Sequence, residues 1–312
     1  MRLTAFIFIL FCCNTIQAQD TTIIIDKKKF TLTEVVVRNG FDYNTLLKQI
    51  KEDTSFYKAF KNLRIIGFTA YNDIKMLDKK GKIKASLFSK TKQERANNCR
   101  TMQVLEETTT GNFYDKNKNY HYTTAQMYAS LFFTKGTVCN ETNIVAGNTL
   151  SVADKKGMDK HKEQLKMLFF NPGKKIPGIP FIGGKLDLYD DAANKIYDYK
   201  LDLQEKENKL YYVLSIVPKN KLGIFRRDKV VVDEMITWFD PKTLEVAYRS
   251  YSLSYSAGVY DFDVSMEVQM TTYKGYTVPK LLRYIGNWDV MFKKRERSIF
   301  TATLFDFKEE EK

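Results

Sequence analysis

The run Tyr260-Asp261-Phe262-Asp263-Val264-Ser265-Met266-Glu267-Val268-Gln269-Met270 alternates without a break. In an extended chain successive side chains point to opposite faces, so Tyr260, Phe262, Val264, Met266, Val268 and Met270 share one side. Asp261, Asp263, Ser265, Glu267 and Gln269 share the other. One dry face and one wet face is the habit of an antiparallel sheet, because parallel strands are covered on both faces. Working outward, the chain from Lys195 reads as a meander of strands at Ile196–Leu203, Leu210–Val217, Val230–Trp238, Leu244–Tyr255, Tyr260–Thr272, Pro279–Ile285 and Ser298–Phe307. Asp240-Pro241-Lys242-Thr243 turns between two of them, with Pro241 presetting φ.

Toward the start the same period recurs. Ile66, Phe68, Ala70, Ile74 and Met76 fall on one face that Asn72 interrupts. The turn Asp78-Lys79-Lys80-Gly81 then leads into Ile83, Ala85 and Leu87, and Cys99–Thr109 continues as a strand. Ahead of these, Asp42 reads as a helix cap before Leu46, Leu47 and Ile50, and Thr54 or Ser55 starts a second helix carrying Phe56 and Phe60. Met158, Leu165, Leu168 and Phe169 mark a further helical stripe, which Asn171-Pro172-Gly173 stops. The following segment, Lys174 to Gly184, is apolar yet crowded with Pro and Gly. Two readings stand for it, a buried crossover or a lid over an apolar cavity.

Residues 1–18 carry Arg2, a short apolar core from Ala5 to Cys13, and a small residue at Ala18. That order is an export signal, too short for a membrane anchor, with cleavage expected after Ala18. Leu10-Phe11-Cys12-Cys13 distantly resembles a lipobox, which makes lipidation at Cys12 or Cys13 the rival reading. The expected division is a signal peptide at 1–18, an extended and helical segment at 19–62, and a β-rich domain at 63–312 with the helix and Pro/Gly-rich loop at 158–184.

With 50 Lys and Arg against 37 Asp and Glu, the chain carries a formal charge of +13. Such an excess favours anionic surfaces such as lipid headgroups, although it equally suits a solvated lysine-rich exterior. In an exported protein nucleic acid is not an expected partner. Cys99 and Cys139 outlast the signal as an even pair, either a disulfide closing a loop of roughly 40 residues or two buried thiols.

Catalytic motifs are absent. His121 and His161 stand in no HExxH pairing and, with Cys99 and Cys139, are too scattered for a structural zinc site, so His121 is expected on a strand and His161 on a helix flank. There is no GxSxG motif and no glycine-rich phosphate loop. Asp261, Asp263 and Glu267 read as the wet side of their strand, and Lys293-Lys294-Arg295 with Arg297 as a solvated turn or a headgroup contact. No metal or cofactor is expected.

Tyr211-Tyr212-Val213-Leu214, Trp238-Phe239-Asp240-Pro241-Lys242-Thr243, the long alternating strand and Tyr276-Thr277-Val278-Pro279-Lys280 together resemble the lipoprotein-carrier (LolA/LolB-like) superfamily. The resemblance covers Lys195 to Phe307. The whole chain also resembles exported Bacteroidota proteins of unassigned role. The carrier resemblance implies a mainly β (α+β) fold, a large curved antiparallel sheet or unclosed β-barrel with a few helices on its concave face, where acyl chains are held.

The leading expectation is therefore a non-enzymatic exported protein, periplasmic or associated with the outer membrane, that binds a lipid, acyl chain or lipidated protein. Phe262, Val264, Met266 and Val268 are expected to meet that ligand from the sheet, and Leu165, Phe169, Ile179 and Phe181 from the cover. A structural or interaction protein with a filled core is the second expectation, and a glycan- or lipid-acting hydrolase the third.

Overall fold

The computed structural model describes residues 21–25, 28–33, 43–145, 168–170, 172–175, 184–223, 228–257, 260–290 and 295–310. The export segment, Cys12, Cys13, Asp42, Leu165, His161, Ile179, Phe181, Lys293 and Lys294 lie outside them. The strands are β1 (Thr21–Ile25), β2 (Lys28–Leu32), β3 (Gly67–Leu77), β4 (Ile83–Ala96), β5 (Cys99–Gly111) and β6 (Val138–Cys139). They continue as β7 (Tyr197–Lys206), β8 (Lys209–Pro218), β9 (Val232–Phe239), β10 (Val246–Ala257), β11 (Tyr260–Tyr273), β12 (Tyr276–Val290) and β13 (Glu296–Lys308). All join one unclosed sheet in the order β1-β2-β7-β8-β9-β10-β11-β12-β13-β3-β4-β5-β6. Helices α1 (Tyr43–Glu52), α2 (Ser55–Asn62) and α3 (Thr123–Phe132) pack against it.

The alternation of β11 is realised in space. Phe262, Val264, Met266, Val268 and Met270 are buried, while Asp263 and Glu267 are exposed. On β3 the even-numbered residues from Phe68 to Met76, Asn72 among them, likewise point inward. The β3–β4 turn is held by the Asp78 carboxylate, which accepts the backbone N–H groups of Lys80 (2.8 Å) and Lys82 (2.9 Å), and Gly81 supplies the left-handed φ of 78°. Ile83, expected to share the face of Ala85 and Leu87, is exposed at the end of the hairpin because a register shift follows Met76.

The sheet is not wholly antiparallel. β2 runs parallel to β7, with Leu32 opposite Leu201 and both fully buried. A parallel pair needs a long crossover, here most of the N-terminal half of the chain, and so leaves no turn signal beside either strand. The junction of α1 and α2 is fastened to the sheet by Arg249 of β10. Its guanidinium donates to Thr237 Oγ1 (3.0 Å), pairs with Asp53 (3.7 Å) and lies 4.5 Å from the centre of the Phe56 ring.

His121 is not on a strand. It occupies a bend just ahead of α3, a helix with no local cap in the sequence. The cap comes from β13: the Glu296 carboxylate accepts the backbone N–H groups of Thr123 (3.0 Å) and Thr124 (2.7 Å), and the Thr124 hydroxyl. A negative charge at that end satisfies donors the helix leaves free and complements its dipole.

Candidate functional site: a cavity between helices and sheet

The interior divides into a filled part and an open part. Around β11 it is filled by aromatic side chains. Tyr128 of α3 stacks on Phe300 of β13 (5.1 Å between ring centres), Phe169 lies 4.5 Å from Tyr284, and the Tyr251 hydroxyl sits 2.8 Å from the Met266 sulfur. Packing is so close there that a Cβ on Gly286 would fall 2.6 Å from Tyr284 Cε1 and 2.9 Å from Trp288 Nε1. Phe262, Val264, Met266 and Val268 belong to this filled part.

The open part is a cavity of about 280 Å³ beside β13, β3, β4 and β5. Strand register builds its floor in rows. Leu282, Ala302 and Asn72 form one row, Leu304, Ala70 and Thr91 the next, and Phe68, Gln93 and Met102 a third. Phe60 of α2, Phe132 and Phe133 from the end of α3, and Phe170 form the cover. None of Phe262, Val264, Met266, Val268 or Phe169 is among the lining residues, although Phe170, the neighbour of Phe169, is.

On the β4 side the inward residues are polar. β4 turns Ser89, Thr91, Gln93 and Arg95 inward, and all four are buried. Buried polar groups must find partners. Asn72 donates to Thr91 Oγ1 (3.0 Å), while the Gln93 amide nitrogen donates to the carbonyls of Leu63 (2.7 Å) and Ile66 (2.8 Å). The Gln93 carbonyl accepts from Thr134 Oγ1 (3.0 Å) and Arg100 (3.2 Å).

Beyond this row the lining turns ionic. Arg100 Nε donates to Glu141, whose other oxygen lies 3.4 Å from Arg64 Nη1. Burial pushes the Glu141 carboxyl up, but the Arg100 hydrogen bond and the charges of Arg100, Arg64 and Lys61 outweigh it and leave the group below its ordinary pKa. Burial and the charge of Arg64 lower the pKa of Lys61. Cys99 and Cys139, 40 residues apart in sequence, are joined in a disulfide where β6 pairs β5. That bond places Arg100 and Glu141 next to each other, and it removes both sulfurs from any zinc set with His121.

Of the basic run, Arg295 is engaged by Asp261 (2.6 Å) and Asp289 (3.1 Å) of its own sheet. Among the described residues no helix is long and apolar enough to cross a membrane. Among the described residues the cavity lining holds one carboxylate, Glu141, and no His or Cys.

No family model matches the sequence, and no curated protein matches it. Four solved chains are similar, among them the following two at low identity. A DUF1329 family protein from Desulfovibrio piger has a TM-score of 0.27 at 10% identity, covering 84% of this chain and 92% of that one. A LolA superfamily protein from Nitrosomonas europaea has a TM-score of 0.26 at 10% identity, covering 84% and 94%. At these TM-scores neither likeness carries an argument about this chain.

Proposed function

We propose that this chain is an exported envelope protein that binds an apolar ligand, such as a lipid, an acyl chain or the lipid part of a lipidated protein, between its helices and its sheet, without catalysis. The observation that carries the reading is the cavity of about 280 Å³ floored by Phe68, Ala70, Leu282, Ala302 and Leu304. Ligand sites usually begin at about 300 Å³ and are lined mainly by apolar side chains with a few placed polar groups. A folded chain otherwise fills such space, since an interior void forfeits packing contacts.

Native mass spectrometry of the purified protein, followed by solvent extraction, tests the reading. A bound lipid mass that leaves on extraction, and rebinding of a fluorescent fatty acid by the emptied protein, are expected. A protein that carries no extractable lipid and binds no such probe would be the second kind, a structural or interaction protein. The dense aromatic packing around β11 is the observation in favour of that alternative.

A further inference from the structure

The charges in the cavity lining do not balance. Lys61, Arg64 and Arg100 face a single carboxylate, Glu141. Both oxygens of Glu141 are occupied, one by Arg100 and one by Arg64. Among the described residues the Lys61 ammonium makes no hydrogen bond or ion pair; it stands 6.0 Å from the centre of the Tyr57 ring and feels the opposed charges of Arg64 and Glu141. It projects from the last turn of α2 and is only partly open to water.

A partly desolvated ammonium that shares one already doubly engaged carboxylate with two guanidinium groups, beside a partly apolar cavity, is an unfavourable arrangement that an anionic oxygen would relieve through a charge-assisted hydrogen bond. A neutral head group leaves Lys61 as it is, and a cationic one adds to the repulsion with Arg64. We propose that the ligand is a single-chain amphiphile with an anionic head, a carboxylate or a phosphate monoester. Lys61 holds its oxygens with Arg64 alongside, while its alkyl chain lies against Phe60, Phe132 and Leu282. This rests on the cavity reading above and adds the chemistry of the head group.

The test changes only the head. Dodecanoate, dodecyl phosphate and dodecan-1-ol are each used to displace the neutral probe N-phenyl-1-naphthylamine from the full chain, with the wild type and Lys61→Gln compared. Each anion is expected to displace the probe at a concentration about tenfold below that of the alcohol. Lys61→Gln brings the anions to within about threefold of the alcohol and moves displacement by the alcohol by less than about twofold, because the hydroxyl head gains nothing from the ammonium charge. Discrimination by the carboxylate alone points to a free fatty acid, and by the phosphate alone to a phospholipid-derived ligand. Equal displacement by all three in the wild type, or equal loss of all three in Lys61→Gln, overturns the head-group assignment while the cavity reading stands. Probe that binds nowhere in the wild type overturns both.

Discussion

β11 and β4 are strands of one sheet with opposite interiors. β11 turns a row of apolar side chains inward into the buried cluster that holds Tyr128, Phe169, Tyr251 and Tyr284. β4 turns Ser89, Thr91, Gln93 and Arg95 inward and meets a cavity. The strand with the unbroken apolar row therefore marks where the chain packs on itself, and the one with a polar row where it leaves room. Apolar alternation reports burial; it does not report vacancy, which depends on the volumes of side chains facing each other across the interior.

The contrast is open to attack by mutation. The largest effect is expected on β11: Met266→Asp places an unpaired charge among aromatic rings and should unfold the protein, at a cost above about 4 kcal/mol. Glu267→Ala, on the opposite face of the same strand, should change stability by no more than about 0.5 kcal/mol. Denaturant titration of the pair decides it, and similar losses would mean that β11 is buried on both sides.

A smaller difference is expected from enlarging side chains. Val264→Phe has nowhere to go and should cost about 1–3 kcal/mol, whereas Ala302→Leu projects into the cavity and should stay within about 1 kcal/mol of the wild type while weakening probe binding. If Ala302→Leu is as damaging as Val264→Phe, the space beside β13 is not available.

The smallest effect concerns acid. Glu141 has a folded-state pKa below its ordinary value of 4.5, so its contribution is present above that value and is lost as pH falls through the lower, folded one. Melting temperature followed from pH 6 to 3 should show an acid limb that Glu141→Gln makes shallower, by a degree or so on the order of an exposed ion pair. Parallel curves for the two proteins would show that Glu141 does not tie Arg64 to Arg100.

Much of this architecture is legible in the residues. Period-two runs place β3 and the strands from β7 to β13, and turns such as Asp240-Pro241 separate them. Three things stay hidden, for different reasons. α3 is capped by Glu296 across a sequence distance that no local pattern spans. β2 joins β7 through a short parallel pairing without a turn. The stretch of β4 that lines the cavity is polar on both faces, Thr91 and Gln93 inward against Lys90, Lys92 and Glu94 outward, so its period carries no hydrophobic signal. A buried polar row whose partners are backbone carbonyls, as Gln93 has at Leu63 and Ile66, looks in sequence like a solvated edge.

The position of β13 has a consequence for how the molecule comes into being. It is the seam of the sheet: on one side it pairs β12, on the other β3, with Gly67 opposite Lys308. During synthesis β3, β4 and β5 emerge early as a hairpin stack whose β3 edge has no neighbour, and that edge stays bare until the chain has been made past residue 296. Bare strand edges template pairing with other chains, and long-range pairings form slowly. The cavity floor crosses this same seam, with Ala302 and Leu304 from the late strand beside Asn72 and Ala70 from the early one. An incomplete chain is thus adhesive, and its cavity floor is completed in the same step that hides its edge.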